Sequence, residues 1–214
     1  MRLLSLEQSQ MAYRVDFALY TAAVAVMALY LLQHLAWGAT WPQHRAVAAW
    51  VLAGLAGWSL AEYLLHRFVL HGLPPFRAWH AQHHARPTAL VFAPTLLSGT
   101  LVVGLVFLPG WRLLGWWPAC ALTLGLLAGY LSYTLTHHAL HHSHRDGVWL
   151  QQRRRWHASH HAPGAVGRYG VTSGFWDGVF GTARTPRPPR RMSRGAVLQR
   201  RSARTDRFGR RAGG

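Results

Sequence analysis

Thirteen of the fifteen histidines in this chain lie between His66 and His161, grouped in short clusters. A neutral imidazole nitrogen is a common ligand for first-row transition metals. The number of clustered histidines predicts a site that holds two metal ions. The clusters are His66 with His71, then His80, His83 and His84, then His137, His138, His141 and His142, and finally His157, His160 and His161.

Two of the clusters share the spacing HxxHH. Residues three and four apart lie on one face of a helix, so each triplet is predicted to present its imidazoles together. In the third cluster, His137 and His141 are one turn apart, and so are His138 and His142. Spacing alone does not decide which of these two pairs faces the metals.

The remaining histidines have no comparable partners. We expect His144 to lie on the surface or to support a ligand. His34 and His44 fall in or beyond the first apolar stretch and are predicted to be structural.

Glu62 lies one helical turn before His66. A carboxylate near lipid needs a partner. We predict that Glu62 accepts a hydrogen bond from an imidazole N–H and so fixes the tautomer of a ligand. The alternative is a glutamate that extends to the membrane interface.

Each cluster sits at the polar edge of a strongly apolar stretch. Four such stretches, approximately residues 16–37, 47–65, 89–109 and 113–135, approach the roughly 20 residues that cross a bilayer. Polar residues before the first stretch favour a retained membrane helix over a cleaved signal peptide. The predicted fold is therefore an all-α integral membrane protein with about four transmembrane helices and a histidine-rich helical cap.

Arginines predict the orientation of these spans. The loop 66–88 contains three arginines, whereas the loops near Gln43 and Gly110 contain one each. By the positive-inside rule, both termini and all four clusters are expected to be cytoplasmic. We expect a multi-pass protein of a bacterial inner membrane.

The chain has a net charge of +17, and sixteen of its twenty-three arginines follow residue 144. Because this charge follows membrane spans, it favours an anionic lipid surface over nucleic acid as a partner. The single cysteine, Cys120, excludes an intrachain disulfide and a thiolate metal site. We expect a short N-terminal cytoplasmic segment (1–15), a membrane domain with its cap (16–182) and an Arg/Pro/Gly-rich disordered tail (183–214).

Four segments resemble the motifs of the fatty acid hydroxylase/sterol desaturase superfamily of membrane di-iron enzymes, and within it the fatty acid 2-hydroxylases. The first is Glu62-Tyr-Leu-Leu-His66-Arg-Phe-Val-Leu-His71, and the second is His80-Ala-Gln-His83-His84 with Leu90-Val-Phe-Ala-Pro94. The third is Tyr133-Thr-Leu-Thr-His137-His-Ala-Leu-His141-His142. The fourth is Trp156-His157-Ala-Ser-His160-His161, with the closing segment Tyr169 to Thr182.

The resemblance implies which residues hold the metals, and it selects His137 and His141 in the third cluster. It implies that Glu62, Tyr133, His138 and His142 support the ligands. The family commonly has an aspartate where this chain has Thr134, so the surroundings of His137 differ here. The implied ligands are His66, His71, His80, His83, His84, His137, His141, His157, His160 and His161.

The implied activity is hydroxylation of the acyl chain of a fatty acid or lipid, with C2 as the favoured position. The implied cofactors are two iron ions, which zinc can replace, and dioxygen is the co-substrate. No catalytic residue beyond the metal ligands is expected. Electrons would come from a separate protein, either ferredoxin-like or cytochrome-type with a reductase. Four aromatic residues are candidates for a lipid-facing rim or for packing within the cap: Trp149, Trp156, Phe175 and Trp176.

Two kinds of alternative stay open. Within the superfamily, the substrate could be a sterol, a carotenoid or an ornithine lipid, and the reaction could be a desaturation instead of a hydroxylation. From another class, the chain could be a metal transporter or metal-binding membrane protein. A transporter places ionisable ligands near the middle of the bilayer. The clusters here sit at span edges, which argues against transport.

Overall fold

The computed structural model describes residues 9–90, 95–144 and 147–184, and every regular element within them is a helix. The helices are α1 (Gln10–Gly38), α2 (Trp41–Leu64), α3 (Phe76–Ala85), α4 (Thr95–Val102), α5 (Leu108–Leu114), α6 (Trp116–His142), α7 (Val148–His160) and α8 (Phe175–Val179). A π-helical segment, Leu65–Leu70, extends α2, and another, Val103–Phe107, joins α4 to α5. The all-helical prediction is confirmed for these residues, and the expected tail lies outside them from residue 185 onward.

Four helical stretches are long and apolar enough to cross a membrane, as predicted. They are Gln10–Gly38, Trp41–Leu70, Thr95–Leu114 and Trp116–His142. Large apolar side chains such as Leu29, Leu52 and Leu105 are mostly exposed on their outer faces. In a protein that spans a bilayer, lipid covers such a surface.

Three of the four spans are longer than predicted, and the third is shifted from residues 89–109 to Thr95–Leu114. The first connecting loop is shorter than expected, and the second lies a few residues later. Only Ala39 and Thr40 separate α1 from α2, because Thr40 and Gln43 form a capping box that starts α2 before its polar residues. Gly110 lies inside α5, and the chain turns instead at Gly115, whose φ of 92° suits glycine. Polar residues were therefore a poor guide to where these helices end.

Helices α2 and α6 approach each other at glycines. A Cβ atom at Gly54 would lie 2.7 Å from the backbone nitrogen of Leu126, and one at Gly129 would lie 2.7 Å from Cβ of Trp58. Small residues at such crossings let membrane helices pack backbone against backbone. This tight pair is the centre of the bundle.

Helix α1 runs antiparallel to α6. Near the start of α1, the Tyr13 hydroxyl lies 2.8 Å from Nδ1 of His138, whereas His34, near its end, stacks on Trp117 at 3.5 Å between ring centroids. Positions 117 and 138 are about 30 Å apart along α6 at 1.5 Å per residue. The histidine clusters therefore gather at one end of the bundle, away from His34.

Helices α3, α7 and α8 form a cap over that end. Both HxxHH segments are helical, as the sequence predicts: His80, His83 and His84 lie in α3, and α7 contains His157 and His160 with His161 as its C-cap. The segment Gly72-Leu-Pro-Pro ends the second span by a turn, which leads the chain into α3. The position of the cap is thus determined by where the membrane-spanning helices end.

Candidate metal centre

The ten histidines implied by the resemblance fall into two groups of five. Within each group, one nitrogen of every imidazole lies within 4.8 Å of the corresponding nitrogen of every other. Set A is His66, His71, His80, His84 and His160, and set B is His83, His137, His141, His157 and His161. The two sets are neighbours, because the rings of His84 and His161 stack at 4.1 Å between centroids.

Each HxxHH segment is divided between the two sets. From α3, His80 and His84 belong to set A, and His83 belongs to set B. From α7, His157 and His161 belong to set B, and His160 belongs to set A. Each triplet therefore contributes to both sets, which its spacing alone did not indicate. Residues four apart point the same way along a helix, but the residue three after the first is rotated toward the other side, where the second set lies.

The π-helical segment explains the unusual spacing of His66 and His71. These residues are five apart, which would place them on different faces of an α-helix. A π-helix pairs residues five apart, and the His71 N–H donates to the His66 carbonyl at 3.2 Å. The two rings then lie 5.2 Å apart.

The spacing between nitrogens suits metal coordination. In set A, Nε2 of His80 lies 3.0 Å from Nε2 of His66 and of His84. In set B, Nε2 of His157 lies 2.9 Å from Nε2 of His141 and 3.1 Å from that of His161. Metal–nitrogen bonds of about 2.1 Å place neighbouring donors roughly 3.0–3.4 Å apart. Both sets therefore fit a transition-metal ion.

Electrostatics favour the neutral, metal-binding form of the cap histidines. Burial, reinforced by neighbouring imidazoles, lowers the pKa of His71 and of His84 to about 4, that of His83 to about 3 and that of His161 to about 2. Burial also lowers the pKa of His80 and His157. At neutral pH these rings carry no charge, so a metal does not have to displace a proton from a cation.

Two rings of set A are oriented from behind by backbone carbonyls. Nδ1 of His66 lies 2.5 Å from the Tyr169 carbonyl oxygen, and Nδ1 of His160 lies 2.8 Å from that of Gly167. A carbonyl only accepts, so each Nδ1 carries the proton and each Nε2 keeps its lone pair for the centre. Both histidines are buried. Gly167 has a φ of 116°, a conformation that glycine tolerates best.

Glu62 has a different partner from the predicted imidazole. Its Oε1 accepts the N–H groups of Val171 and Thr172 at 2.7 and 2.9 Å, and its Oε2 accepts the Thr172 hydroxyl at 2.6 Å. The side chain is only 4 % exposed, so it does not extend to an interface either. Its partners come from a segment more than 100 residues away, which no local pattern reveals.

Asp177 and Arg153 were missed by the sequence reasoning. Asp177, fully buried, accepts the N–H groups of Tyr169 and Gly170 at 2.9 and 2.8 Å. Arg153 donates to the carbonyls of Val171 and Gly170 at 2.9 and 2.5 Å. The scarcity of acidic residues, six in the chain, was the available signal.

The other residues expected to support ligands lie around set B. Tyr133 stacks on His137 with 5.8 Å between ring centroids. The Tyr13 hydroxyl lies 2.8 Å from Nδ1 of His138, and His142 stacks on His138 at 4.5 Å between ring centroids. Both histidines line a narrow cleft together with members of set B, although neither belongs to a set. The Thr134 hydroxyl donates to the Leu131 carbonyl of its own helix at 2.9 Å.

The four aromatic residues divide between the two roles considered for them. Trp149 and Phe175 are 53 % and 63 % exposed, as a rim requires. Trp156 packs under the guanidinium groups of Arg153 and Arg168, and Trp176 donates to the Ser59 hydroxyl at 3.0 Å. The last two therefore belong to the packing of the cap. His144 is exposed, as predicted.

Residues 51–182 match the family model described as fatty acid hydroxylase. The chain belongs to the fatty acid hydroxylase family. Membership confirms the resemblance drawn from the four motifs, and the matched residues include all ten histidines of the two sets.

Individual relatives agree with this assignment. The chain is 36 % identical over 160 residues to a dihydroceramide fatty acyl 2-hydroxylase of Arabidopsis thaliana, covering 68 % of this chain and 63 % of the relative. It is 34 % identical over 149 residues to a ceramide very long chain fatty acid hydroxylase of Schizosaccharomyces pombe, covering 61 % and 41 %. A human fatty acid 2-hydroxylase is 34 % identical over 145 residues, with 62 % and 38 % covered. The chain thus spans less than two thirds of the length of these relatives.

A solved structure shares the fold. The structure described as full-length scs7p, in which only the hydroxylase domain is visible, superposes with a TM-score of 0.67 at 27 % identity. The match covers 86 % of this chain and 70 % of that one. The arrangement of spans and cap is therefore that of a hydroxylase domain.

Proposed function

We propose that this family member is a membrane di-iron monooxygenase that hydroxylates the acyl chain of a fatty acid or lipid, at C2. The observation that carries the proposal is the pair of five-imidazole sets at one end of four apolar spans, in a chain related to enzymes named as 2-hydroxylases. Sets A and B would each hold one iron ion, and the ten histidines would be the ligands.

Two bound irons would supply the reduction of dioxygen and the oxidation of an unactivated C–H bond. One oxygen atom enters the acyl chain as a hydroxyl group, and the other leaves as water with two electrons and two protons from a donor. The chain's own residues hold the neutral rings in place. The electrons would come from a separate donor protein that docks on the cap.

A narrow cleft beside set B is the proposed entry for the acyl chain, and with a volume of about 10 Å³ it would have to widen to admit one. It is bordered by Tyr13 of α1 and by the apolar side chains of Pro87, Ala89 and Leu90. Five histidines complete its lining: His83, His137, His138, His141 and His142. An acyl tail lying in the bilayer could enter here with its carboxyl end toward the histidines. This direction would bring carbons near the carboxyl end, C2 among them, to the metals.

Lipid analysis tests the proposed activity. Membranes from a host that lacks acyl hydroxylation would be compared with and without the chain, and fragmentation of any oxidised acyl chain would locate the new hydroxyl group. We expect 2-hydroxy acyl chains, their loss in His160→Ala, and their retention in the matched control His34→Ala at the opposite end of the bundle. Turnover by the His160→Ala protein would contradict the ligand assignment.

We further propose that both termini and the cap are cytoplasmic, in a bacterial inner membrane, on the arginine distribution. Single cysteines at the exposed positions Gln43 and Arg86, in a Cys120→Ser background, can be labelled with a membrane-impermeant thiol reagent. In intact cells only the cysteine at position 43 should react. Labelling at position 86 alone would reverse the proposed orientation.

A further inference from the structure

The surroundings of the two histidine sets differ. In set A, backbone carbonyls fix the tautomer of His66 and His160. In set B, the described parts of the chain offer no hydrogen-bond partner to the buried Nδ1 atoms of His83, His157 and His161. Hydrogen bonds behind a ligand orient its ring and raise its basicity, and their loss typically weakens metal binding 10–100-fold.

The carbonyls behind set A belong to one segment, residues 167–172, which has no helical structure of its own. Four consecutive N–H groups of this segment, from Tyr169 to Thr172, are bound by only two carboxylates, those of Asp177 and Glu62. Arg153 holds two of its carbonyls from the other side. We call these three side chains the clamp.

The clamp holds the segment firmly, because its side chains are buried and come from different helices. Its members are 0–7 % exposed, and they reach the segment from three helices, α2, α7 and α8. Arg153 lies between two carboxylates, so the buried charges compensate one another, and each also satisfies backbone groups. Residues 167–172 are thereby fixed, with the carbonyls of Tyr169 and Gly167 directed at His66 and His160. Among the described residues, the Tyr169 ring also contacts rings of set A, and no hydrogen bond or ring contact joins this segment to set B.

We propose that the clamp makes the two metal sites inequivalent: set A is pre-organised and binds its ion first and more tightly, while set B holds the exchangeable ion. This inference rests on the proposed two-metal centre. Glu62, Arg153 and Asp177 are positioning residues, because they act on the ligands only through the segment. Set B, beside the cleft, retains more freedom to adjust its rings.

Two single-site proteins test the inference. His137→Ala with His141→Ala leaves set A as the only complete set, and His71→Ala with His80→Ala leaves set B. Both would be made in the full-length chain, purified in detergent, stripped of metal and titrated with cobalt(II), whose visible absorption reports nitrogen coordination. We expect the protein with set A to bind cobalt 10–100-fold more tightly. Equal affinities, or tighter binding by set B, would overturn the proposal.

Asp177→Asn, placed in each single-site protein, tests the clamp. Whichever way the amide is turned, its NH₂ group faces the N–H of Tyr169 or of Gly170, so the segment loses a partner. We expect cobalt affinity to fall 10–100-fold in the protein with set A and by less than about threefold in the one with set B. An equal loss in both would show that Asp177 merely supports the cap as a whole.

A conservative variant distinguishes positioning from folding. Gln at position 62 can still accept from Val171 and Thr172 through its carbonyl oxygen, whereas Ala cannot. Glu62→Gln should therefore restore most of the affinity that Glu62→Ala loses in the protein with set A. If the Asp177 variant does not fold, this pair and the two single-site proteins still decide the question. Absence of cobalt binding in the unmodified chain would instead contradict the proposed two-metal function.

Discussion

The division of each HxxHH segment between two sites leads to a sharp prediction about two adjacent residues. His83 and His84 are neighbours on α3 but belong to different sets. Zinc sites with four ligands bind with about 10–16 kcal/mol, so one ligand contributes on the order of 3 kcal/mol, or about 100-fold in affinity. Replacing either residue with Ala should therefore weaken one ion about 100-fold and leave the other nearly unchanged.

Double variants make the test independent of which ion is followed. The change His83→Ala with His84→Ala removes one ligand from each set, so both ions should weaken. His80→Ala with His84→Ala removes the same number of imidazoles from the same helix, but both come from set A. One ion should then remain at its original affinity. The measurement is metal content after equilibration of the purified, detergent-solubilised protein with a chelator of known affinity.

A particular result would refute the interleaved arrangement. If the protein lacking His83 and His84 kept one ion at unperturbed affinity, both residues would serve one site, and the division of α3 between two sets would be wrong. Loss of both ions from the protein lacking His80 and His84 would show that the sites cannot be occupied separately. Circular dichroism would check that each variant keeps its helices.

Three further outcomes follow from the geometry. The His138→Ala protein should retain both ions, whereas His137→Ala should weaken the binding of one ion about 100-fold, because only His137 lies in set B. Metal analysis of the two purified proteins distinguishes these outcomes. Gly125→Leu should lower the free energy of unfolding in detergent by about 1–3 kcal/mol, because the new side chain would collide with the Val51 backbone. In the control Gly57→Leu, the new side chain points into open space, so stability should be kept. Metal-free protein should lose stability as the pH falls below 6.5. Half-buried rings such as His71 bind protons only near pH 4 when folded, but at about 6.5 when unfolded. At pH 5.5 each such ring should lower the free energy of unfolding by about 1 kcal/mol, after discounting for its partial exposure. Thermal melting of the metal-free protein at pH 7.5 and at pH 5.5 measures this loss.

The sequence predicted the overall fold and the group of histidines, but not how that group is arranged. Apolar length was sufficient to find the four spans, and helical spacing was sufficient to place His80 and His157 on helices. Helical spacing gives the relative direction of residues on one helix only. The set to which His83 belongs depends on the positions of α6 and α7 relative to α3, and these positions are set by the packing of the whole bundle.

The surroundings of the ligands were harder to predict, because they depend on contacts between distant parts of the chain. Glu62 was identified as a residue that needs a partner, but its partner is the backbone of residues 171 and 172. Backbone groups have no sequence signature. The π-helical turn between His66 and His71 was also missed, although a five-residue spacing between two paired histidines is its natural sign.

The order of the clusters along the chain has a consequence for biosynthesis. Both sets take ligands from α7, the last helix to contribute: His160 enters set A, and His157 and His161 enter set B. A nascent chain that has not yet emerged past residue 161 therefore contains two incomplete centres. On the proposed function, the final cluster completes both at once. Both centres should thus be completed only late in synthesis, and a chain stalled or truncated before α7 should retain neither ion stably.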